Sequence, residues 1–576
     1  MSYFVAGILK IILLEAFVAL ILIDRLAGDA YPRARKVAFA ALSLTMLAAW
    51  AEYGRLRGDA STSYVASGLV VVVAAAWAVL HARRRPGVPT GPAARVVLAL
   101  RRRRWLAPTL AALMVTGWIA VGVSRGSLTL AHPWEQFHFY LGAKYPTELG
   151  SFDLYPAVLA ADRGTVNVLG GASVARDVHT FVEVSIASLD RAIALAPGRF
   201  SPARWAEFQH DWATMARLWP IDWPRAIVDH GNSNSPAWTL FAHPLARLVP
   251  LSIAGQSLLG WVDMLLMFGM WLFVLSTFGG KHASAGLLLW AAPPIVFEFT
   301  SGSLLRWDWL FALGVAVCFM ARERWATAGV FFGYAVASKL FPVFFGVALL
   351  IHCLWRLLET RTVPRSPLRF FVAAGLSALA FVVASALLFG VSAWTDYVER
   401  IRIAQAEKFY AIQYSLHTVF LQFAAPIRSG TLTFDQVFLF PSTLHRASPS
   451  VSIADFRGSF LVAQLAFTAL VAVLIRRAKA WQAFALGPLL VLIWLTVNMY
   501  YWGMLGLAAL GLFARRETAP TVLHVGLHAA LMLFYVYQHL NRRLYEGYAV
   551  AWLVLAAIIV SAALELSRWR SGGLRA

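Results

Sequence analysis

The chain has 576 residues, 60% of them hydrophobic and 14% charged, with a mean hydropathy of +0.65. Soluble domains average about 45–50% apolar and about 25% charged residues, so this composition excludes an ordinary cytosolic enzyme, a disordered chain and a nucleic-acid-binding module. The net charge of +21 therefore matters first for where basic residues fall between apolar runs.

A spanning helix needs about 20 mostly apolar residues. Runs of that kind occur near 4–23, 37–52, 62–81 and 105–124, then 255–277, 284–299, 306–321, 324–338, 341–356, 369–391, 457–475, 481–498, 500–514, 520–538 and 547–566. The first run lacks the basic start and small-residue cleavage site of a signal peptide. It reads as a retained helix carrying Lys10 and Glu15. Arg83, Arg84, Arg85, Arg95 and the run Arg101 to Arg104 place the stretch from His81 to Arg104 in the cytoplasm. Alternation from that anchor places Arg322/Arg324, Arg356 to Arg369, Arg476/Arg477/Lys479, Arg515/Arg516 and the tail Arg568/Arg570/Arg575 inside as well.

The expected fold class is an all-α polytopic membrane protein of about 13–15 transmembrane helices. Residues 1–104 form three accessory helices and a basic cytoplasmic loop, 105–566 the main membrane domain, and 567–576 a basic tail. Two long polar segments, 125–251 and 392–456, face outward. The first is expected to hold amphipathic helices over 134–149, 174–194 and 202–218, with 237–251 lying in the interface. Trp205, Trp212, Trp219, Trp223 and Trp238 recur through it, and amphipathic aromatics of this kind suit the headgroup layer.

Cys318 and Cys353 both lie in apolar runs, which fits buried small side chains and no disulfide framework. No CxxC, HExxH or EF-hand pattern occurs. The sequence requires no cofactor and offers no metal cage, although carboxylates leave room for a divalent cation.

Chemistry-capable residues concentrate at the helix ends assigned outside. Glu135 and His138 are spaced i,i+3 and share a helical face. They read either as a proton-transfer pair beside an apolar wall or as solvated charges of an interfacial helix. The segment Asp229-His230-Gly231-Asn232-Ser233-Asn234-Ser235-Pro236 reads as a ligand loop or as a turn closed on its own backbone. Glu298, Arg306 and Asp308 cluster between two apolar runs, where charges usually pair or mark a pathway. An Arg306 pair with Glu298 or Asp308 is the structural reading of these residues. Lys339, just before Pro342, is either a snorkelling lysine or an anion-binding one. Further outward candidates are Lys144, His417, Asn498, Tyr500, Tyr501 and the pair Arg542/Arg543, the one basic cluster against the positive-inside pattern. Arg supplies a bidentate fork for phosphate and Lys a point charge.

Trp134-Glu135-Gln136-Phe137-His138-Phe139-Tyr140-Leu141-Gly142-Ala143-Lys144-Tyr145, soon after an apolar run, resembles the first outer loop of bacterial polyprenyl-phosphate-dependent GT-C glycosyltransferases, nearest their family 87-like, mannosyltransferase-type branch. Asn234-Ser235-Pro236 with Pro244-Leu245, Ala337-Ser338-Lys339-Leu340-Phe341-Pro342 and Asn498-Met499-Tyr500-Tyr501-Trp502 are similar to further elements of that branch. The resemblance covers about 105–566. It implies a GT-C-type bundle in a bacterial inner membrane, with an active site on the extracytoplasmic face. It also implies a polyprenyl-phosphate-linked sugar donor and a glycan, lipid or protein acceptor, with membrane lipids as surroundings and no nucleic acid.

In that family an acidic residue of the first outer loop is the general base, which implies Glu135, with Asp153 as the weaker candidate because Asp is the commoner choice. His138 orients the base or the acceptor. Lys339, Arg306 and Arg542 take the donor phosphate. Lys144, Asp229, His230, Asn234, Glu298, Asp308, His417, Asn498, Tyr500 and Tyr501 line the substrate. Two other readings stand beside this one: a transporter or flippase of a lipid-linked glycan, and an O-antigen-ligase-like enzyme. The clustering of polar residues at outer helix ends, with no internal repeat, favours chemistry over transport.

Overall fold

A computed structural model describes residues 131–291, 302–362, 365–405, 414–429, 453–515, 517–541 and 547–573. The expected spans from 4–23 to 105–124 lie outside them, as do Glu298 and Arg542. The described chain is mostly helical and has two apolar cores, one in the loop region and one in a helical bundle.

The loop region begins with α1, Pro133–Lys144, capped by the His132 ring, whose Nδ1 accepts from the Glu135 amide. Pro133 suits a first helical turn because its missing N–H needs no partner there. The expected helix over 134–149 breaks at Tyr145. Pro146 starts a separate turn, Pro146–Leu149, because a proline ring cannot continue the hydrogen-bond ladder. After α2, Leu154–Arg163, the first half of the stretch expected as a helix over 174–194 is instead a hairpin of β1, Val174–Asp177, and β2, Val182–Ser185, while its second half is helical, as a 3-10 turn Ile186–Leu189 and a short α-helix Asp190–Leu195. The pairing is antiparallel, with Val174 opposite Ser185 and Asp177 opposite Val182. Val174, Val182 and Val184 favour strands. The Asp177 carboxylate closes the turn by accepting from the His179 amide and the Thr180 hydroxyl. Helix α3, Pro202–Leu218, matches the expectation, starting at the Ser201 cap. Helix α4, Pro236–Leu248, starts at the Ser235 cap.

The bundle follows: α5, Ile253–Phe278; α6, Gly280–Ala291; α7, Asp308–Ala321; α8, Trp325–Ser338; α9, Val343–Thr360; and α10, Arg365–Phe389. After α11, Ser392–Gln405, and α12, Leu416–Ser429, come α13, Arg457–Ile475; α14, Ala480–Ala485; α15, Gly487–Trp494; α16, Leu505–Phe513; α17, Thr518–Asn541; and α18, Gly547–Gly573. The run expected over 481–498 is thus two helices, broken where Leu486 precedes Gly487-Pro488. The run over 500–514 starts as a tighter 3-10 turn, Met499–Met504.

Five of the described helices, including α5, α9, α10 and α13, are long and apolar enough to cross a membrane. Helix α10 exposes Leu368, Val372, Leu376, Leu379, Val383 and Leu387 along one side. In water such a stripe would cost about 25 cal/mol for each Å², whereas lipid tails are as apolar as the side chains. On its other side α10 meets α8 through Gly329 and Gly333. A Cβ on these would lie 2.2 Å from the Phe370 carbonyl oxygen and 2.3 Å from that of Ala374. Two small residues four apart let the backbones approach this closely, which is how helices associate where water drives nothing.

Several bundle helices run between the same two ends. Helices α7 and α9 begin, and α8 ends, beside the loop region. Their opposite ends meet the C-terminus of α13.

Candidate functional site

The segment 302–307 enters the bundle from the loop side and carries Arg306. Gly302 and Leu305 have positive φ of 83° and 48°, a backbone that leucine rarely adopts. Surrounding contacts hold it there. The Gly302 carbonyl accepts from the His132 amide and, at 2.7 Å, from the Gln136 side chain. The Leu305 carbonyl accepts from the Trp238 indole at 2.8 Å. The Asp263 carboxylate, fully buried in α5, accepts from the amides of Arg306 and Trp307 at 2.7 and 3.0 Å. Three elements that are remote in sequence therefore fix one arginine.

The Arg306 guanidinium lies between the rings of Phe139 and Tyr500, at 4.9 and 4.7 Å, and donates from Nη1 to Glu135 Oε2 at 2.6 Å. The partner is not Asp308, one of the two candidates for a structural pair. Asp308 starts α7 and accepts instead from Tyr334 and Ser338, each at 2.6 Å, while Glu298 lies outside the described residues. The ion pair is nearly buried, with side-chain exposures of 10% for Arg306 and 15% for Glu135. Burial pushes the Glu135 carboxyl above its ordinary value, against the lowering by Arg306. Burial opposes the Arg306 charge, but the Glu135 carboxylate outweighs it and holds the guanidinium above its ordinary pKa. Among the described residues the second Glu135 oxygen, Oε1, and the remaining Arg306 nitrogens make no hydrogen bond.

Lys339 lies in the link between α8 and α9 and donates to Asn234 Oδ1 at 2.6 Å. Burial and then the charge of Arg306 bring its ammonium down to about 7. Asp308 and Glu135 act on it in the opposite sense, so these four groups share one field. The 229–236 segment thus supplies a site residue, Asn234, while its Ser235 serves the turn and cap role. Asn232 supports Asn234 by accepting from its side-chain amide at 2.8 Å. Asn232 in turn abuts Gly142 of α1, where a Cβ would lie 2.2 Å from Asn232 Nδ2.

Asp229 accepts from the Trp134 indole and, at 2.8 Å, from His230 Nδ1. Burial raises its pKa, but the hydrogen bonds from His230 and from the Trp134 indole prevail and hold it well below the usual carboxylate range. The His230 carbonyl is held by Arg400 of α11, whose guanidinium also lies over the Phe181 ring.

Of the two roles expected for His138, orienting the base or the acceptor, the first lacks a direct contact, since His138 makes no hydrogen bond to Glu135. Its Nδ1 lies 2.9 Å from the Trp134 carbonyl, an acceptor, so Nδ1 carries the proton. Nε2 therefore accepts from the Tyr155 hydroxyl at 2.9 Å, and that hydroxyl accepts from the Gly231 amide. Burial lowers the His138 pKa, and the neutral tautomer fits both partners. His138 is a strut between α1, α2 and the 229–236 segment.

Asn498 donates to the hydroxyl of Tyr500 at 2.8 Å, and the Tyr500 ring lies against Arg306. The Tyr501 ring packs on Tyr500, Phe341 and Trp309, one layer behind.

Three sequence candidates fall elsewhere. Lys144, at the far end of α1, pairs with Asp211 at 2.6 Å and Glu207 at 3.1 Å, which commits its charge to the loop core. His417 is buried at the start of α12 against Phe460. Asp153 pairs with Arg199. Arg542 lies outside the described residues. Sequence reasoning missed Asp263, Tyr155, Trp134 and Gln136. A lone carboxylate inside the apolar run 255–277 was the available signal for Asp263. Tyr155 and Gln136 carry no such signal.

No family model matches the chain, and no curated protein and no solved structure matches it either. Among the described residues no group of three or more His, Cys, Asp or Glu side chains is placed to hold a metal ion.

Proposed function

We propose that the protein is a membrane glycosyltransferase that moves a sugar from a polyprenyl-phosphate donor to an acceptor hydroxyl. The observation that carries this reading is the buried Glu135–Arg306 pair with Lys339 in the same field, at the bundle end beside the loop region.

In this reading Glu135 Oε1 takes the acceptor hydroxyl proton as that oxygen attacks the anomeric carbon. The bond from that carbon to the phosphate oxygen breaks, its electron pair leaves with the phosphate, and the configuration inverts. Arg306 and Lys339 meet the developing negative charge, the role of pre-placed cations at a leaving group. A base works best with a pKa drawn towards the operating pH, and burial moves Glu135 in that direction. The phosphate also favours the protonated form of Lys339, so donor binding and proton uptake reinforce each other. Asn234, Asp308, Asn498 and Tyr500 surround the sugar. The GT-C-type architecture, the bacterial inner membrane and the extracytoplasmic face belong to the same proposal, through the resemblance of the Trp134–Tyr145 segment.

The test uses membranes containing the full chain and polyprenyl-phosphate-linked radiolabelled hexoses. Wild-type membranes transfer label to an endogenous acceptor and release polyprenyl phosphate. Glu135→Gln retains an oxygen for Arg306 and slows transfer by about 10²–10⁴, the range for loss of a general base. Transfer by Glu135→Gln at the wild-type rate, from protein inserted to the same level, removes Glu135 as the base.

A further inference from the structure

The other end of the bundle carries a second charged site that the proposed reaction does not use. Where α13 ends and α14 begins, against α9 and the start of α8, there is a cavity of about 740 Å³. That volume lies within the range of small-molecule sites, about 300–1,000 Å³. Its walls carry four cations, Arg356, Arg476, Arg477 and Lys479, and two carboxylates, Glu323 and Glu359.

The charges do not cancel. Glu359 pairs with Arg476 at 2.8 Å, and Arg477 pairs at 3.3 Å with Glu565 of α18. Glu323 accepts from the Trp325 indole at 2.7 Å. Arg356 and Lys479 make no ion pair among the described residues. A third wall group is His352 of α9, 8% exposed, whose Nδ1 is buried without a hydrogen-bond partner. A buried polar atom left unmet in this way is costly unless a ligand or water meets it. The lining therefore includes two cations without an ion pair among the described residues, Arg356 on α9 and Lys479 before α14, and one buried imidazole nitrogen without a hydrogen bond, on α9.

Its surroundings indicate where the anion comes from. Leu350, Leu354, Leu357 and Leu358 stand exposed along α9, spaced as one helical face. Arg476 is flanked by the Trp355 and Trp569 rings, at 5.3 and 4.4 Å, and Trp569 is half exposed. Apolar side chains giving way to tryptophans and then to arginines is the order in which a bilayer gives way to its headgroups. The basic loops at this end are those that alternation assigns to the cytoplasm.

We infer that this cavity binds a phosphate-bearing anion, with Arg356, Lys479 and His352 as its contacts, and that an anionic phospholipid headgroup supplies the phosphate. Each basic side chain near an anionic surface is worth about 1 kcal/mol, or about fivefold in affinity. The site is independent of the transfer reaction, and nothing in it requires the Glu135 site to be correctly assigned.

The test uses the full chain purified in detergent, with phosphatidylglycerol, phosphatidylcholine and inorganic phosphate as separate probes. Native mass spectrometry counts retained lipid, and thermal unfolding follows each titration. Wild-type protein is expected to retain phosphatidylglycerol over phosphatidylcholine. The double variant Arg356→Gln/Lys479→Gln is expected to bind phosphatidylglycerol about 25-fold more weakly. If inorganic phosphate stabilises the wild type and displaces phosphatidylglycerol, with the same dependence on the two cations, the phosphate site stands and free phosphate is its source. Equal phosphatidylglycerol binding by wild type and double variant overturns the inference, as does wild-type protein that responds to neither probe. Should the double variant aggregate, Lys479→Gln alone is read instead, with an expected loss of about fivefold and with unchanged binding counting against the site.

Discussion

Both ends of the helical bundle collect positive charge, and they hold it in opposite ways. At the loop end Arg306 is buried, stacked between two rings, paired with Glu135 and fixed through its own amide by Asp263. At the far end Arg477 is about half exposed, and Arg356 makes no ion pair among the described residues. A buried ion pair is weak evidence for stability, because removing two charges from water costs several kcal/mol each. A protein that keeps one and fixes its backbone from three directions is holding a geometry. The far end shows no comparable set of contacts around an arginine among the described residues, and its Arg476 and Arg477 pairs are more exposed. The two ends therefore differ in burial, since the Arg306–Glu135 pair is nearly enclosed while Arg477 is about half exposed.

The contrast breaks most visibly at Asp263. Replacing it with alanine leaves the Arg306 and Trp307 amides buried without their acceptor, at about 1–3 kcal/mol each. Thermal unfolding of purified protein should show the loss, and transfer should fall with it because Arg306 is no longer held. A variant as stable and active as wild type would mean that the Asp263 contact fixes nothing.

Next in size is Gly142→Ala. The new methyl meets Asn232, and overpacking of this kind costs about 1–3 kcal/mol. The displaced loop carries Asn234, so donor KM should rise more than kcat falls. An unchanged KM would separate the 229–236 segment from donor binding.

A pH profile sharpens the comparison further. Glu135 must be ionised to act as a base, so transfer falls as pH drops through its pKa. Burial raises that pKa, and the fall should begin above the pH of an ordinary carboxylate. Arg306→Gln removes the charge that lowers it, so the acid limb should move to still higher pH. Movement to lower pH would contradict the pairing.

The smallest effect is expected at the far end. Arg476→Gln breaks a partly exposed ion pair with Glu359, worth about 0–1 kcal/mol. Transfer should be unaffected, and a large loss of transfer would mean that the two ends are coupled.

Much of this was legible in the sequence, and the failures have common causes. Glu135, Arg306, Lys339 and Asn234 stood out because ionisable and amide groups at the ends of apolar runs are costly enough to need a reason. Their pairing was not legible. Glu135 and Arg306 are 171 residues apart, and no spacing rule reaches that far. Lys144 was misjudged because its partners, Asp211 and Glu207, lie on another helix. His138 shared a helical face with Glu135, as the spacing required, but hydrogen bonds to Trp134 and Tyr155 occupy both of its nitrogens. The bundle helices were found from their apolar length alone. The β hairpin was missed because 174–194 was read as one amphipathic helix, although Val182 and Val184 alternate as a strand.

The central claim is that Arg306 and Lys339 receive the phosphate of a lipid-linked donor beside Glu135. The most direct measurement is an electron-microscopy structure of the full chain in a lipid nanodisc with polyprenyl phosphate. The account predicts phosphate density within about 3 Å of both cations, the reach of a charge-assisted hydrogen bond, with Glu135 Oε1 open to the space beside it. Phosphate bound elsewhere, with the Glu135–Arg306 pair closed off from it, would contradict the account.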